Sequence, residues 1–436
     1  MSFVRGMAAV LAAASLALAG CGGGGGGGGA PAPLTLSVKI NGADSASMDT
    51  YSVKPGDTVS VAASAAATWT SSGAQVQLAN ASSSTGSWQA QLLNTATSAA
   101  TLTLSASAAT GNKTVTFQLG AGDVRNGSYK VYATNGSRET LALNFDAGSY
   151  AFSGSNMGDV DASGTFSADS AEAGTYVFAS SRVTTTANTA RFRVKGDTIV
   201  GGFPFANAQT LASYEIKPFV ASRALEKNRA AIDGVFNRFG ITIGSTASQI
   251  MQVEISGSGT VMRQCLDNTI PRIDLCTSIA TYSIQPGATD DTWSIVDGTG
   301  ASLGSFAMAR HEGAYIYLSA GKQAGGSTDT IFRIGLPDST AWPTGTGYGS
   351  ATPGSWGRID MQAGTSTRTG IATNGTAVQT ANVYLAMGAG RPDGMREISG
   401  SGVAYFAMQG AGLFAIIGAD SIPAGTAGYM QISLMN

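Results

Sequence analysis

The feature that most constrains this chain is a succession of short segments in which apolar and polar residues alternate. They are separated every ten residues or so by stretches of Gly, Ser, Asn, Asp and Pro. A period of two places every second side chain on one face of an extended strand, whereas an amphipathic helix needs apolar residues three or four apart. From Leu34 to about Gly120 the strand-like segments are Leu34–Ile40, Thr58–Ser64, Gln75–Leu78, Trp88–Leu93, Ala100–Ala106 and Lys113–Leu119. Further on come Ser128–Tyr132, Thr140–Phe145, Tyr176–Ser180, Ala190–Val194 and Gly313–Ser319. Helical spacing occurs at Val220, Ala224, Leu225 and Ile232, predicting one short helix or a surface loop over Val220–Ala231. The chain reads as all-β. A β-sandwich over 34–120 is followed by a larger antiparallel β region over 121–436, either one barrel or two related lobes of about 121–325 and 326–436.

Charge narrows the partners. Only 12% of residues are charged and the formal net charge is −2, so Ser, Thr, Asn, Gln and Gly must supply most of the polar surface. No Lys/Arg-rich run is present to neutralise a phosphate backbone, which argues against nucleic acid.

The N-terminus has a different composition. Arg5 is its one cation, Met7–Ala19 is apolar but short for a bilayer span, and Leu18-Ala19-Gly20-Cys21 closes the run. This ending resembles the lipobox of bacterial lipoproteins. The resemblance implies a signal peptide over 1–20, cleavage before Cys21, a diacylglycerol on the Cys21 sulfur and attachment to a membrane through lipid. Gly22 stands where inner-membrane retention in Gram-negative lipoproteins uses Asp, and this implies sorting to the outer membrane. Residues 21–33 hold eight consecutive glycines and Ala30-Pro31-Ala32-Pro33, a tether with a root-mean-square reach of roughly 20 Å.

The phrases Lys54-Pro55-Gly56-Asp57-Thr58-Val59-Ser60-Val61 and Ala67-Thr68-Trp69-Thr70-Ser71-Ser72-Gly73 are similar to the early strands of bacterial immunoglobulin-like domains. That resemblance implies a spacer or adhesion module with Trp69 as its core aromatic. No family resemblance covers 121–436. Within that region Glu254-Ile255-Ser256-Gly257-Ser258-Gly259 recurs as Glu397-Ile398-Ser399-Gly400-Ser401-Gly402, and Phe306-Ala307-Met308 as Phe406-Ala407-Met408. Asp233-Gly234-Val235-Phe236 and Pro353-Gly354-Ser355-Trp356 would then open two corresponding units.

Once Cys21 is acylated, Cys265 and Cys276 remain, and in an oxidising compartment they predict one disulfide. It would staple Val261–Gln264 to Thr277–Ile284 and be worth about 3 kcal/mol by the chain-entropy argument. Asp159-Val160-Asp161-Ala162-Ser163-Gly164 spells the first half of a calcium loop, with Asp159, Asp161 and Ser163 as oxygen ligands. Ser170 stands where the bidentate Glu belongs, so a plain turn is expected and no cofactor or metal is assigned. Gly300-Ala301-Ser302-Leu303-Gly304 spells a nucleophile elbow without the strand–helix context or late histidine it requires. A hairpin turn is expected there, with His311, beside Arg310 and Glu312, as a solvated turn residue. Trp293, Trp342 and Trp356 are read as core rather than sugar platforms.

These features lead to a lipid-anchored cell-envelope protein of the outer membrane, with a non-enzymatic binding or structural role toward a protein or glycan. The alternative is a hydrolase of envelope or extracellular polysaccharide, which would need a pair of carboxylates in a cleft.

Overall fold

The computed structural model describes residues 32–208, 210–243, 247–322, 329–342, 344–352, 354–399, 405–419 and 428–436. Among them the chain is all-β, with no α-helix and two single 3-10 turns, Arg229–Ala231 and Ile273–Leu275. Of the short helix or surface loop anticipated over Val220–Ala231, the loop is found after Ser222: strand Tyr214–Ser222 ends there, and an extended linker leads to the first of those turns. Arg223 fixes this linker. It binds the Asp197 carboxylate at 2.6 Å and the Asn126 and Val124 carbonyls at 2.6 and 2.8 Å, tying the exit of one unit to its entrance.

Residues 34–119 form two sheets that share one core. Strands β1 (Leu36–Ile40), β2 (Ala43–Asp44), β4 (Thr58–Ala63), β6 (Val76–Ser83) and β7 (Ser87–Asn94) run in the order β2-β1-β4-β7-β6. Strands β3 (Thr50–Val53), β5 (Thr68–Ser72), β8 (Ala100–Ala108) and β9 (Gly111–Leu119) run in the order β3-β9-β8-β5. Val59, Val61 and Leu92 from one sheet meet Leu104, Val115 and Phe117 from the other. The buried tryptophan of this core is Trp88, and Trp69 packs against the same core from one side. Trp69 sits half-buried on β5, at the end of its sheet, with its indole N–H on the Ser84 carbonyl at 2.9 Å.

Region 121–436, expected as one barrel or two lobes, contains three closed barrels of eight strands. The first runs from Gly127–Ala133 to Tyr214–Ser222, the second from Gly234–Ile243 to Thr330–Pro337, the third from Gly345–Ala351 to Met430–Met435. In each the last strand pairs antiparallel with the first, as in Val131↔Ala221, Phe239↔Ile334 and Gly349↔Ser433. Closure leaves no free edge for another chain to pair with. The proposed lobe boundary near residue 325 falls inside the second barrel.

The repeats explain part of that difference. Phe306-Ala307-Met308 and Phe406-Ala407-Met408 lie in the sixth strands of barrels two and three, Ser302–His311 and Tyr405–Gly410, so they are topologically equivalent. Glu254-Ile255-Ser256 lies in a second strand and Glu397-Ile398-Ser399 in a fifth, so that recurrence marks no common unit. Asp233–Phe236 opens a first strand, whereas Ser355-Trp356 opens a second.

The equivalent sixth strands turn into seventh strands through two-residue hairpins at Gly196-Asp197, Glu312-Gly313 and Ala411-Gly412. In the latter two both turn residues have positive φ, 49° and 77° then 48° and 64°, the backbone that matches the right-handed twist of the flanking strands. The three hairpins converge. The Lys195 ammonium pairs with Glu312 and also donates to the Met435 carbonyl at 2.9 Å, while Gly412 lies against Glu312 and His311.

Below these turns the outward faces of the three barrels make one apolar core. Tyr132, Val200 and Val220 come from the first barrel, Phe239, Leu318 and Phe332 from the second, and Leu413, Ala415 and Ile432 from the third. Strands that border it are buried on both faces, so Thr198–Ala206, Leu413–Gly418 and Met430–Met435 have no exposed residue. Fully burying each aliphatic side chain contributes about 1.5–3 kcal/mol. The sandwich joins the first barrel through Gln77, whose carbonyl accepts the Ser128 N–H at 2.9 Å, and through the Asn126 amide on the Asn94 carbonyl at 3.2 Å.

Ile432 is fully buried at the centre of the shared core. Ile432→Ala is expected to destabilise the barrels by about 2–5 kcal/mol. Scanning calorimetry should show one barrel transition moving as a whole; separate melting of the first barrel at its wild-type temperature would refute the coupling.

Candidate functional site

The three barrels fill their interiors differently. In the first, inward residues are mostly aromatic: Phe152 stacks on Phe203 at 4.0 Å, Phe178 on Phe192 at 4.5 Å, and Tyr150 meets Phe178 edge-on at 4.8 Å. Such rings take up the whole bore of an eight-stranded barrel. In the second, Phe306 stacks on Tyr317 at 4.9 Å beside Trp293, and the buried Arg238 sits among them. Its guanidinium reaches the Met251 sulfur at 2.8 Å and the Gln264 carbonyl at 3.3 Å, with Nε and Nη1 unbonded. Burial pulls its pKa down to about 10.

The third barrel is half hollow. One end is plugged by Trp342, Tyr384 and Phe414, with ring centroids 5.2 to 6.1 Å apart, and a hydroxyl contact of 2.6 Å between Ser366 and Tyr384. Above the plug lies an open cavity of about 650 Å³. A volume of this order suits a small organic ligand. Its wall combines Val378, Ile398 and Ile416 with Tyr405, Tyr429 and Gln431, and among the described residues the one charged side chain on it is Arg368.

Strand register brings Arg368 inward. Thr365–Ile371 reads Thr-Ser-Thr-Arg-Thr-Gly-Ile, and its pairing sets Arg368 opposite the buried Ile359 on one side and Thr380 on the other. Ser366 and Arg368 are therefore buried while Thr365, Thr367 and Thr369, which alternate with them, are exposed. Arg368 is only 4% exposed, and its partners are the Ser355 hydroxyl at 3.0 Å and the Ser355 carbonyl at 3.4 Å. Among the described residues no carboxylate lines the cavity or pairs with Arg368. Burial lowers the Arg368 pKa and raises those of Tyr429 and Tyr405. The two tyrosine rings meet edge-on at 5.4 Å, and the Tyr429 hydroxyl donates to the Gln431 carbonyl at 3.2 Å.

Sequence reasoning missed this site because an arginine in a Thr/Ser run reads as a solvated strand residue. The usable signal was its parity with Ser366, and that parity gains meaning only once the register is known.

The residues singled out from sequence fall elsewhere. Cys21 lies outside the described residues. Cys265 and Cys276 are bonded, with Cα atoms 5.8 Å apart, between Val261–Cys265 and its partner Ile279–Pro286. Among the described residues the one cluster of three metal-ligating side chains is this cystine with Asp267, and there both sulfurs are already in the bond. Asp159, Asp161 and Ser163 do not share a ligand centre. The Asp159 carboxylate pairs with buried Arg182 at 3.1 Å and accepts the Ala206 N–H, Asp161 accepts the Gly154 N–H at 3.2 Å, and Ser163 belongs to a strand facing Ala151.

Ser302 begins a strand directly after a hairpin turn, as expected. His311, expected in solvent, is 5% exposed at the meeting point of the three barrels, where burial lowers its pKa and Nε2 has no hydrogen-bond partner. Trp293 and Trp342 belong to barrel interiors. Trp356 is buried against the first barrel, its indole N–H on the Glu172 carboxylate at 2.7 Å.

A second cavity, of about 210 Å³, lies between barrels one and two and is lined by Glu139, Asp291, Arg138 and Asn156. Glu139 is 6% exposed with Oε1 unbonded, and burial, reinforced by the Asp159 charge, pushes its pKa up to about 7.

The class these features define is an all-β chain of two packed sheets and three closed barrels, one of which is hollow. No family model and no curated protein matches the sequence. Among solved structures, a quinoprotein alcohol dehydrogenase-like protein from Bacteroides thetaiotaomicron matches with 10% identity and a TM-score of 0.16, covering 89% of this chain and 97% of that one. A DUF4784 family protein from Bacteroides caccae matches with 10% identity and a TM-score of 0.18, covering 90% and 97%. Superpositions this poor transfer neither fold nor function.

Glu139 generates a pH dependence. An ordinary glutamate near 4.5 in the unfolded chain against about 7 in the folded one means that the native state holds the extra proton between those values. Stability should then fall by about 3 kcal/mol as pH rises through that window and level off above it. Glu139→Gln should flatten that part of the curve in denaturant titrations from pH 4 to 8, and an unchanged slope would refute the assignment.

Proposed function

We propose that this protein is a lipid-anchored outer-membrane binding protein whose small-molecule site is the hollow third barrel. The observation that carries the reading is the open 650 Å³ cavity beside a first barrel packed with aromatic rings. Eight-stranded barrels have just enough bore to be filled or to hold one small ligand. The lipobox-like ending at Cys21 and the glycine tether support attachment to the membrane. An immunoglobulin-like spacer is supported by strand order. With β1, β4, β5, β6, β7, β8 and β9 as strands A to G, the sheets contain A-B-E-D and C-F-G, the order of immunoglobulin constant domains, with β2 added beside A and β3 beside G.

The polysaccharide-hydrolase alternative gains little. The large cavity has no acid on its described wall, and Glu139 and Asp291 share a cleft smaller than ordinary ligand sites.

Two measurements test the proposal. In a Gram-negative host the wild-type protein should enter the detergent phase of a phase-separation assay and Cys21→Ser should not; aqueous wild-type protein overturns the anchor. The full chain carrying Cys21→Ser, free of detergent, should bind the neutral fluorophore N-phenyl-1-naphthylamine at one site. Thr380→Trp at the cavity wall should abolish that binding, and absence of any fluorescence rise in the unblocked chain overturns the binding role.

A further inference from the structure

We propose that the third-barrel cavity is selective for a small amphipathic anion, a monocarboxylate with an aromatic or aliphatic body whose head group meets Arg368. This rests on the cavity being a ligand site and specifies what it takes. A guanidinium is planar and doubly donating, and its usual buried partner is a carboxylate gripped by two parallel N–H groups. Arg368 is 96% buried, lines the cavity and, among the described residues, holds only the two oxygens of Ser355.

A buried cation left with neutral partners is costly to the folded state, and an incoming anion offsets that cost in the very geometry the barrel holds ready. Around this head-group position the wall is apolar and aromatic, from Val378, Ile398 and Ile416 to the edge-on pair Tyr405 and Tyr429. The donors and acceptors of Thr380, Asn382 and Gln431 leave room for one further polar group on the ligand. A sugar would leave the apolar wall unmatched, and a neutral hydrocarbon would leave Arg368 without its charge partner.

Arg238 is the internal comparison. It too is a buried guanidinium without a carboxylate, but the second barrel closes a thioether and an amide carbonyl on it. Arg368 differs in facing open volume.

The test is isothermal titration of the full Cys21→Ser chain with 3-phenylpropanoate, its neutral amide and acetate at pH 7. The acid is expected to bind at least tenfold more tightly than either comparator. Arg368→Met should abolish that preference while keeping a thermal midpoint at or above wild type, since a buried unpaired charge has been replaced by a thioether of similar length. Equal binding of acid and amide, no binding of the acid, or a preference that survives Arg368→Met overturns anion recognition. Acetate as tight as 3-phenylpropanoate overturns the apolar-body requirement. Retained naphthylamine binding in any of these cases leaves the cavity as a ligand site, so the two failures are separable.

Discussion

The structure depends on one constraint: three closed barrels hide a single apolar core between their outer walls. A small barrel is complete in its hydrogen bonding, and its outer face is normally left to water. Here the strands around the contact carry apolar residues on both faces, as Phe306 and Met308 pointing into the second barrel alternate with Ala307 and Ala309 pointing into the shared core. The small residues at the latter positions let the walls approach. That core sets where the sixth-to-seventh hairpins meet, buries His311 beneath the half-exposed Lys195–Glu312 pair at their junction, and fixes which flank of each barrel is free.

Strands were legible in the sequence because alternation is a local property. Ser128–Tyr132, Thr140–Phe145 and Tyr176–Ser180 each lie within two residues of the observed ends, and Cys265 and Cys276 close the anticipated staple between antiparallel partners. Barrel number was not legible, since closure is a pairing between segments about a hundred residues apart. Gly349 and Ser433 are neighbours across a seam that no local pattern announces. The repeat that held, Phe-Ala-Met before a tight turn, shares its place on the sixth strand but not its facing: Phe306 and Met308 point into the second barrel with Ala307 at the shared core, whereas Met408 and Phe406 join the shared core and Ala407 points into the third barrel. The Glu-Ile-Ser recurrence landed on unlike strands.

Side-chain environments were less legible than strands. His311 sits in the polar string Arg310-His311-Glu312, which reads as solvent-facing, yet its ring is buried against Gly412 in the matching turn of the third barrel. Arg368 and Arg238 are hidden for the same reason, because burial of an isolated charge runs against every compositional expectation. Both sandwich tryptophans touch the core, to different depths. Trp69 carried the family-like phrase, whereas Trp88, on a strand between two others, takes the more buried position.

The contrast among barrel interiors connects stability to function. The first barrel spends its bore on ten stacked or edge-packed rings and is well suited to anchor the assembly and the sandwich attached to it. The third inherits its rigidity from the shared core, whose Leu413, Ala415 and Ile432 hold its seventh and eighth strands from outside. A barrel braced externally does not need its interior filled to keep its shape. Half of that interior is thereby free to stay open, with an arginine and two tyrosines on the wall, at a stability cost the neighbouring barrels offset.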